Sequence, residues 1–187
     1  ATVEAAYDCP ALTCATLGDA SVTETAICSG ASVTAEATVV DNDFTGGTAV
    51  WVYSTSADFD AYTAGEAFTG SLPANDACEV ATYYLKARLD GVDGCTDQSD
   101  AFAVMVYAPI DATTTDSNEC SDATISVACE GYTVAWEDSE GNTGTGTTYT
   151  PALNTIGAVT FTVSNADAPA DCAATNFTAS YNCTEDV

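Results

Sequence analysis

The chain has 187 residues, enough for one or two domains, and its 28 Asp and Glu against 2 Lys and Arg give a formal net charge of −26. Nucleic acid and anionic membrane surfaces are bound by clustered basic residues, so the sequence excludes nucleic-acid binding and membrane insertion as expected functions. Hydrophobic residues make up 47% of the chain, which is too many for a disordered segment, so we expect it to fold.

Nine cysteines in a chain of this size indicate an oxidising compartment, and we therefore expect an extracellular protein. No C-x-x-C motif and no histidine is present, which disfavours zinc sites. No signal-peptide pattern follows Ala1 and no apolar run reaches the length of a membrane span. The sequence is expected to be a mature or trimmed region.

The first nine residues resemble a segment near the other end of the chain. At a constant offset of 174, Val3, Ala5, Tyr7 and Cys9 match Phe177, Ala179, Tyr181 and Cys183. Both segments alternate apolar with polar or small residues, which predicts one type of half-buried strand. The segment 1–9 is then a closing strand with no domain before it to close. It either ends a preceding domain of a longer array or completes a neighbouring subunit by strand addition, unless it is simply the first strand of the first domain.

From residue 20 onward the chain shows short alternating runs and no sustained helical period. The first set comprises SVTAEATVV, AVWVYS, YYLKARL and FAVMVY, and the second TISVAC, YTVAW, GTTYTP, AVTFTVS and TNFTASYNC. Pro109 and the polar stretch 111–119 separate them. We predict an all-β chain with the extra strand 1–9 and two β-sandwich domains, 10–110 and 111–187, whose cores contain Trp51 and Trp136.

The strand YYLKARL carries both positive charges of the chain. Its alternation places Tyr83, Leu85, Ala87 and Leu89 inward and Tyr84, Lys86 and Arg88 outward. The outward pair is expected either to form a cross-strand ion pair, which contributes little when exposed, or to be a docking point for an acidic neighbour.

The second half carries a resemblance. GYTVAWEDSEGNTGTGTTYTP after Cys129, followed by GAVTFTVSN and a late Y-N-C, resembles the immunoglobulin-like tandem repeats of large bacterial cell-surface adhesins and gliding or filament proteins. In the first half, ICSGASVTAEA and YYLKARLDGVDGCTDQSDAFAVMVY are similar to sister repeats. The resemblance implies disulfide-stabilised Ig-like sandwiches on a bacterial cell surface or filament. It implies no shared catalytic residues, since its motifs specify fold rather than function.

Assigning Cys9 to the segment 1–9 leaves four cysteines in each predicted domain, Cys14, Cys28, Cys78 and Cys95 in the first and Cys120, Cys129, Cys172 and Cys183 in the second. Four cysteines allow three connectivities, and the resemblance favours Cys28 with Cys95. A head-to-tail homopolymer with one disulfide per junction consumes two cysteines of each subunit and leaves an odd number. Cysteine parity therefore favours a longer array, or a non-covalent polymer in which Cys9 is free.

The sequence offers no nucleophile and base pair, because it has no histidine and a single lysine, so we expect no enzyme, no catalytic residue and no required cofactor. Calcium is the candidate metal, since it binds carboxylates clustered on loops. The candidate ligands are Asp41, Asp43, Asp90, Asp93, Asp97 and Asp100, with Asp58 and Asp60 as a further pair. None fits an EF-hand loop, and diffuse screening by cations is the alternative.

Two further features bear on carbohydrate. Asn176 and Asn182 fit the N-x-[ST] acceptor pattern and are candidate glycosylation sites. Tyr53, Phe59 and Tyr62 are candidates for an aromatic platform that binds sugar.

The sequence as a whole favours a structural building block of an extracellular bacterial filament or surface fibre. Its partners are copies of itself or adjacent modules of the same chain, joined end to end when Val3, Ala5 and Tyr7 enter a neighbouring core. The alternative is an adhesin module that binds glycans or adheres through calcium.

Overall fold

The computed structural model describes residues 13–41, 43, 46–59 and 65–184, and in this part of the chain almost all regular structure is β. The strands are Thr16–Val22 (β1), Ala26–Cys28 (β2), Ala35–Val40 (β3), Thr48–Ser54 (β4), Glu66–Ala67 (β5), Ala81–Asp90 (β6), Phe102–Tyr107 (β7), Ala112–Thr115 (β8), Ala123–Val127 (β9), Thr133–Asp138 (β10), Thr143–Thr145 (β11), Thr148–Tyr149 (β12), Thr155–Ser164 (β13) and Ala174–Cys183 (β14). A single 3-10 turn spans Ala170–Cys172. The predicted all-β class is confirmed, whereas the predicted strand 1–9 lies outside the described residues.

The chain divides into two compact units that do not follow chain order. Unit 1 contains the described residues up to Thr25, together with Ser32–Leu72 and Thr82–Val104. Unit 2 contains Ala26–Ala31, Pro73–Ala81 and the described residues from Met105 onward. The predicted ranges 10–110 and 111–187 differ from this division at the boundary, where unit 2 already begins at Met105, and in the two short segments Ala26–Ala31 and Pro73–Ala81. The reason for the two short segments is covalent, because each holds a cysteine that is disulfide-bonded within unit 2.

Unit 2 is a sandwich of two antiparallel sheets. One sheet has the order β12-β9-β8 and the other β11-β10-β13-β14. In the lettering of immunoglobulin domains these are E-B-A and C′-C-F-G, so the strand order itself is Ig-like. Ile125 and Tyr149 from the first sheet pack against Val159, Phe161 and Tyr181 from the second. The strands β13 and β14 pair continuously from Thr155↔Cys183 to Ser164↔Ala174, which makes this hairpin the longest ladder of the unit.

The first half of the chain repeats part of this strand order, since β7-β6-β4-β5 corresponds to β14-β13-β10-β11. Here β1 pairs with β3, and a five-stranded sheet has the order β2-β7-β6-β4-β5. The short strand β2 runs parallel to β7, as the bridge of Ser117 to Tyr181 runs parallel in unit 2. The predicted disulfide-stabilised Ig-like fold is therefore confirmed by topology in both halves.

Both tryptophans lie on the core faces of their sheets, as predicted. Trp51 on β4 is half-buried opposite the fully buried Ala87, and its ring centroid is 5.9 Å from that of Phe102. Trp136 on β10 is half-buried against the core of unit 2.

The central strand β6 corrects one prediction. Leu85, Ala87 and Leu89 are fully buried as expected, but Lys86 and Arg88 are also buried, with exposed fractions of 5% and 4%. The ring of Phe59, from the loop after β4, covers that face; its centroid is 5.1 Å from Lys86 Nζ and 5.6 Å from Arg88 Cζ. The two cations are thus not an exposed docking point. Cation–π attraction is strongest where water is excluded, as it is here.

We expect Phe59→Leu to destabilise the protein, because leucine fills most of the space but has no ring quadrupole to attract the two cations. The expected loss in the free energy of unfolding is about 1–2 kcal/mol, measured by urea denaturation. Val50→Ala, at a partly exposed position on β4, is the matched control and should stay within about 0.5 kcal/mol of wild type. Equal stability of Phe59→Leu and wild type would contradict the cation–π assignment.

Candidate functional site

The closing strand β14 contains the residues that the segment 1–9 matches in sequence. It buries Ala179, Tyr181 and Cys183, half-buries Phe177, and exposes the alternate residues Asn176, Thr178, Ser180 and Asn182. The inward set predicted for this strand is confirmed. The corresponding residues Val3, Ala5, Tyr7 and Cys9 lie outside the described residues.

Tyr181 anchors β14 in the core of unit 2. Its ring centroid lies 5.1 Å from that of Tyr149, and its hydroxyl is 3.0 Å from Ser139 Oγ. A Cβ on Gly157, which pairs with Tyr181, would lie 2.7 Å from the tyrosine hydroxyl oxygen. Glycine at 157 therefore leaves room for the tyrosine to reach its partner.

The last residue of β14, Cys183, is bonded to Cys120. Glu119 and Cys120 both adopt positive φ, at 53° and 59°, in the turn that brings the Cys120 side chain to the strand. Ser117 N donates to Ser180 O at 2.9 Å, so the same segment also covers part of the outer edge of β14. The pair of Tyr181 and Cys183 thus fixes the closing strand by packing and by a covalent bond.

A buried carboxylate organises the turn after β10. Asp138 accepts hydrogen bonds from the backbone N–H groups of Glu140 and Asn142 at 2.9 and 2.8 Å, and from Tyr149 Oη at 2.9 Å. Burial acts to raise the pKa of Asp138, but the hydrogen bonds from Asn142, Tyr149 and Glu140 outweigh it and hold the pKa below its ordinary value. Burial, followed by hydrogen bonding with Tyr181 and Asp138, raises the pKa of Tyr149.

Because the pKa of Asp138 is lower folded than unfolded, its contribution to stability is present above the unfolded pKa of about 3.9 and is lost as the pH falls through the folded value. We expect Asp138→Asn to lower the free energy of unfolding at pH 7 by about 1–3 kcal/mol, since it leaves buried donors without an acceptor. The loss relative to wild type should shrink toward pH 2, measured by denaturation across that range. Glu137→Gln, exposed on the same strand, is the control, and a loss independent of pH would contradict the assignment.

The four disulfides correct the expected pairing of Cys28 with Cys95. The bonds join Cys14 to Cys95, Cys28 to Cys172, Cys78 to Cys129 and Cys120 to Cys183. Cys95 packs with Leu89 and Ala15 in a small core cluster, where Cys14 is its neighbour, while Cys28 at the end of β2 meets the 3-10 turn. The expected sets of four within 10–110 and 111–187 are also wrong, since two bonds cross that boundary.

The four disulfides leave one cysteine of the sequence over. Eight of the nine cysteines are joined in pairs, so Cys9 has no other cysteine of this sequence left to bond. A disulfide at Cys9 would need a cysteine from another copy or from outside this sequence. A homopolymer that uses two different cysteines at each junction is not compatible with these four bonds.

The candidate calcium ligands do not form a ligand set in the part of the chain that the structure describes, where no group of three or more Asp, Glu, Cys or His side chains could hold a metal. Two candidates act as hydrogen-bond acceptors for the backbone instead: Asp43 Oδ2 accepts from Thr13 N and Asp97 Oδ2 from Leu17 N, each at 2.7 Å. Asp41, Asp58, Asp90, Asp93 and Asp100 are exposed, and Asp60 lies outside the described residues. Calcium binding stays a prediction.

The predicted aromatic platform is not an exposed row of rings. Phe59 is buried over Lys86, with 5% exposure, and Tyr53 is half-buried, with its hydroxyl donating to Glu66 Oε2 at 2.6 Å. That hydrogen bond, followed by partial burial, raises the pKa of Tyr53. Tyr62 lies outside the described residues. The loop side chain of Phe59 folds inward, which the sequence pattern does not reveal.

A groove of about 480 Å³ instead lies on the outer face of the sheet β11-β10-β13-β14. Its lining includes Glu137, Thr143, Thr160, Thr162 and Asn176. Thr162 Oγ1 donates a hydrogen bond to Asn176 Oδ1 at 2.9 Å. The Trp136 side chain points to the opposite, core-facing side of the sheet, where a Cβ on Gly144 would overlap the indole ring, so glycine there leaves room for the ring beside β11. The sequence did not predict the groove because its residues come from four strands. The one available signal was the alternation of Thr160 and Thr162, which indicates an outward polar face on β13.

Both candidate glycosylation sites lie on β14 and are exposed. Asn176 borders the groove, whereas Asn182 Oδ1 accepts from Thr184 Oγ1 at 3.1 Å within its own acceptor motif. Glycan attachment stays a prediction. A glycan on Asn176 would occupy the groove that its side chain lines.

No protein-family model matches the chain, and no curated protein sequence matches it. Among solved structures, the chain is similar to the three N-terminal domains of the highly immunogenic outer capsid protein (Hoc) of bacteriophage RB49, with 16% identity over 91% of this chain and 59% of that one, and a TM-score of 0.36. It is also similar to the amphioxus IgVJ-C2 molecule, with 14% identity over 83% of this chain and 98% of that one, and a TM-score of 0.36. The chain thus spans less than two thirds of the Hoc structure.

The strand order and the disulfides define the class: this is an all-β, disulfide-stabilised protein of Ig-like β-sandwich fold. Its four disulfides are typical of secreted or extracellular proteins. Across the described ranges, the chain forms no helix of the length and apolarity required to traverse a bilayer.

Proposed function

We propose that the protein is a non-enzymatic building block of an extracellular bacterial filament or surface fibre, joined end to end by strand complementation. The observation that carries the proposal is the use of Ala179, Tyr181 and Cys183 in β14, where all three are buried. Ala5, Tyr7 and Cys9 repeat these residue types at the same spacing. A segment with this pattern fits the closing-strand position of a module built like unit 2.

The surroundings of each inward position of β14 favour a particular side chain. Ala179 is fully buried, so this position favours a small side chain. The ring of Tyr181 packs against Tyr149 and its hydroxyl reaches Ser139, and Cys183 is bonded to Cys120. Burying one large apolar side chain contributes about 1.5–3 kcal/mol, so a docked tyrosine and its neighbours would hold a junction without any ion pair. This suits a protein whose surface charge is almost entirely negative.

The contacts of β14 bear on which neighbour accepts the segment 1–9, a second copy of the chain or a preceding module. In unit 2 the closing position is already occupied, and its outer edge is partly covered, since Ser180 O accepts from Ser117 N and Thr178 O accepts from Thr114 Oγ1. A second copy would have to displace these contacts. A preceding module of the same longer chain would not, and it could also supply the partner for Cys9.

The first test is the mass of the natural protein, denatured, with and without reductant and after glycan removal. A species near 19.0 kDa would identify a separate subunit that joins others without a shared chain, and a much larger species surviving reduction would identify an array of modules. Tyr7→Asp then tests the junction in either case. It should release monomers from the polymer, seen by sedimentation velocity, or lower the melting temperature of the preceding module.

Asp8→Asn is the matched control, because position 8 corresponds to the exposed Asn182 and should leave assembly intact. Assembly and melting unaffected by Tyr7→Asp would overturn strand complementation.

A second candidate function is glycan binding in the groove on the outer face of the sheet β11-β10-β13-β14. Its volume of about 480 Å³ lies within the usual range of ligand sites, roughly 300–1,000 Å³, and its lining combines hydroxyl, amide and carboxylate groups. A net charge of −26 disfavours acidic glycans, so neutral polysaccharides are the appropriate ligand class.

We expect wild type to be retarded in native gels that contain dextran or xylan, and Thr160→Lys to lose at least tenfold in apparent affinity because the lysine fills the groove. Thr113→Lys, on the opposite sheet, adds the same charge and should bind as wild type does. Equal retardation of the two variants would exclude the groove as the binding site.

A further inference from the structure

The four disulfides create covalent short cuts between Cys14 and Cys183, the first and last cysteines that they join. An extended chain spans at most about 3.5 Å per residue, so without the bonds these two positions could separate by about 590 Å. One short cut follows the chain from Cys14 to Cys28, crosses to Cys172, and follows the chain again to Cys183. Fully extended, this first path reaches only about 90 Å.

A second path uses none of the same chain. It crosses from Cys14 to Cys95, follows the chain to Cys120, and crosses to Cys183. This path also reaches about 90 Å when it is fully extended.

The remaining disulfide adds a parallel branch to the second path. The branch runs from Cys95 back to Cys78, crosses to Cys129, and runs back to Cys120. It too extends to about 90 Å. The three routes thus have nearly equal lengths, although they run through different parts of the chain.

We infer that the disulfide network is a tension-bearing device, in which matched covalent paths limit how far the module can extend under load. This rests on the proposed function in a fibre and deepens it. The short paths hold the extension between the outer cysteines to less than a fifth of the length of the intervening chain. Equal lengths mean that the paths become taut together and share the load.

The arrangement also tolerates damage. Loss of any single disulfide leaves a path of about 90 Å, because the first path depends only on Cys28–Cys172 and the second only on Cys14–Cys95 and Cys120–Cys183. Losing both Cys14–Cys95 and Cys28–Cys172 is different. The shortest route then follows the chain from Cys14 to Cys78, crosses to Cys129, returns to Cys120 and crosses to Cys183, and it extends to about 250 Å.

Single-molecule force spectroscopy of the full chain, held by its two ends, tests the inference. Oxidised wild type should reach a contour length of about 90 Å between the outer cysteines, and reduced wild type about 590 Å. The chain outside Cys14 and Cys183 adds the same length in every case. An oxidised chain that extends as far as the reduced one would overturn the inference.

Two variants that each lack two disulfides test the redundancy. Replacing Cys28, Cys172, Cys78 and Cys129 by serine should leave the contour length at about 90 Å, while replacing Cys28, Cys172, Cys14 and Cys95 should increase it to about 250 Å. Thiol titration checks that the remaining bonds have formed, and the comparison of oxidised with reduced wild type needs no variant. Equal lengths of the two variants would contradict the assigned paths. The result is independent of assembly, so it can fail while strand complementation stands.

Discussion

Electrostatic self-repulsion is the constraint under which the rest of this structure forms. A net charge of −26 on 187 residues opposes the compact state, and two basic side chains are too few to neutralise it, so cross-links supply much of the compensation. The disulfides close loops of 51 to 144 residues. In the chain-entropy account each such bond stabilises the fold by about 4 kcal/mol, which makes the cross-links a dominant stabilising term in a chain with this charge.

Both positively charged side chains of the protein are buried. Lys86 and Arg88 are the whole cationic complement of the side chains, and both lie buried beneath Phe59. No lysine or arginine is therefore left on the surface to attract an acidic partner. Any contact between copies or modules has to form through apolar packing and hydrogen bonds, and it will be weakened by electrostatic repulsion at low salt. A docked strand with an inward tyrosine is a contact of that kind.

The closing hairpin of β13 and β14 connects stability with the proposed assembly. Its inner face is held by Tyr181, its end by the bond of Cys183 to Cys120, and the Asp138 turn supports the neighbouring Tyr149. The outer face of the same sheet carries the groove and the exposed Asn176. One sheet thus contributes its inner face to the core and leaves its outer face exposed.

Local pattern was enough to predict the all-β class, the inward set of β14, and the core positions of Leu85, Ala87 and Leu89, because a period of two is a property of each strand alone. The Ig-like resemblance was also visible in short motifs. The groove, the inward fold of Phe59 and the burial of Lys86 and Arg88 depend on which loop covers which sheet face, and that is settled by contacts between residues far apart in sequence. Cysteine pairing is the clearest case: the sequence determined that cysteines were plentiful and one was left over, but only the tertiary structure brought Cys28 to Cys172 across 144 residues, since which sulfur atoms come within bonding distance is decided by packing.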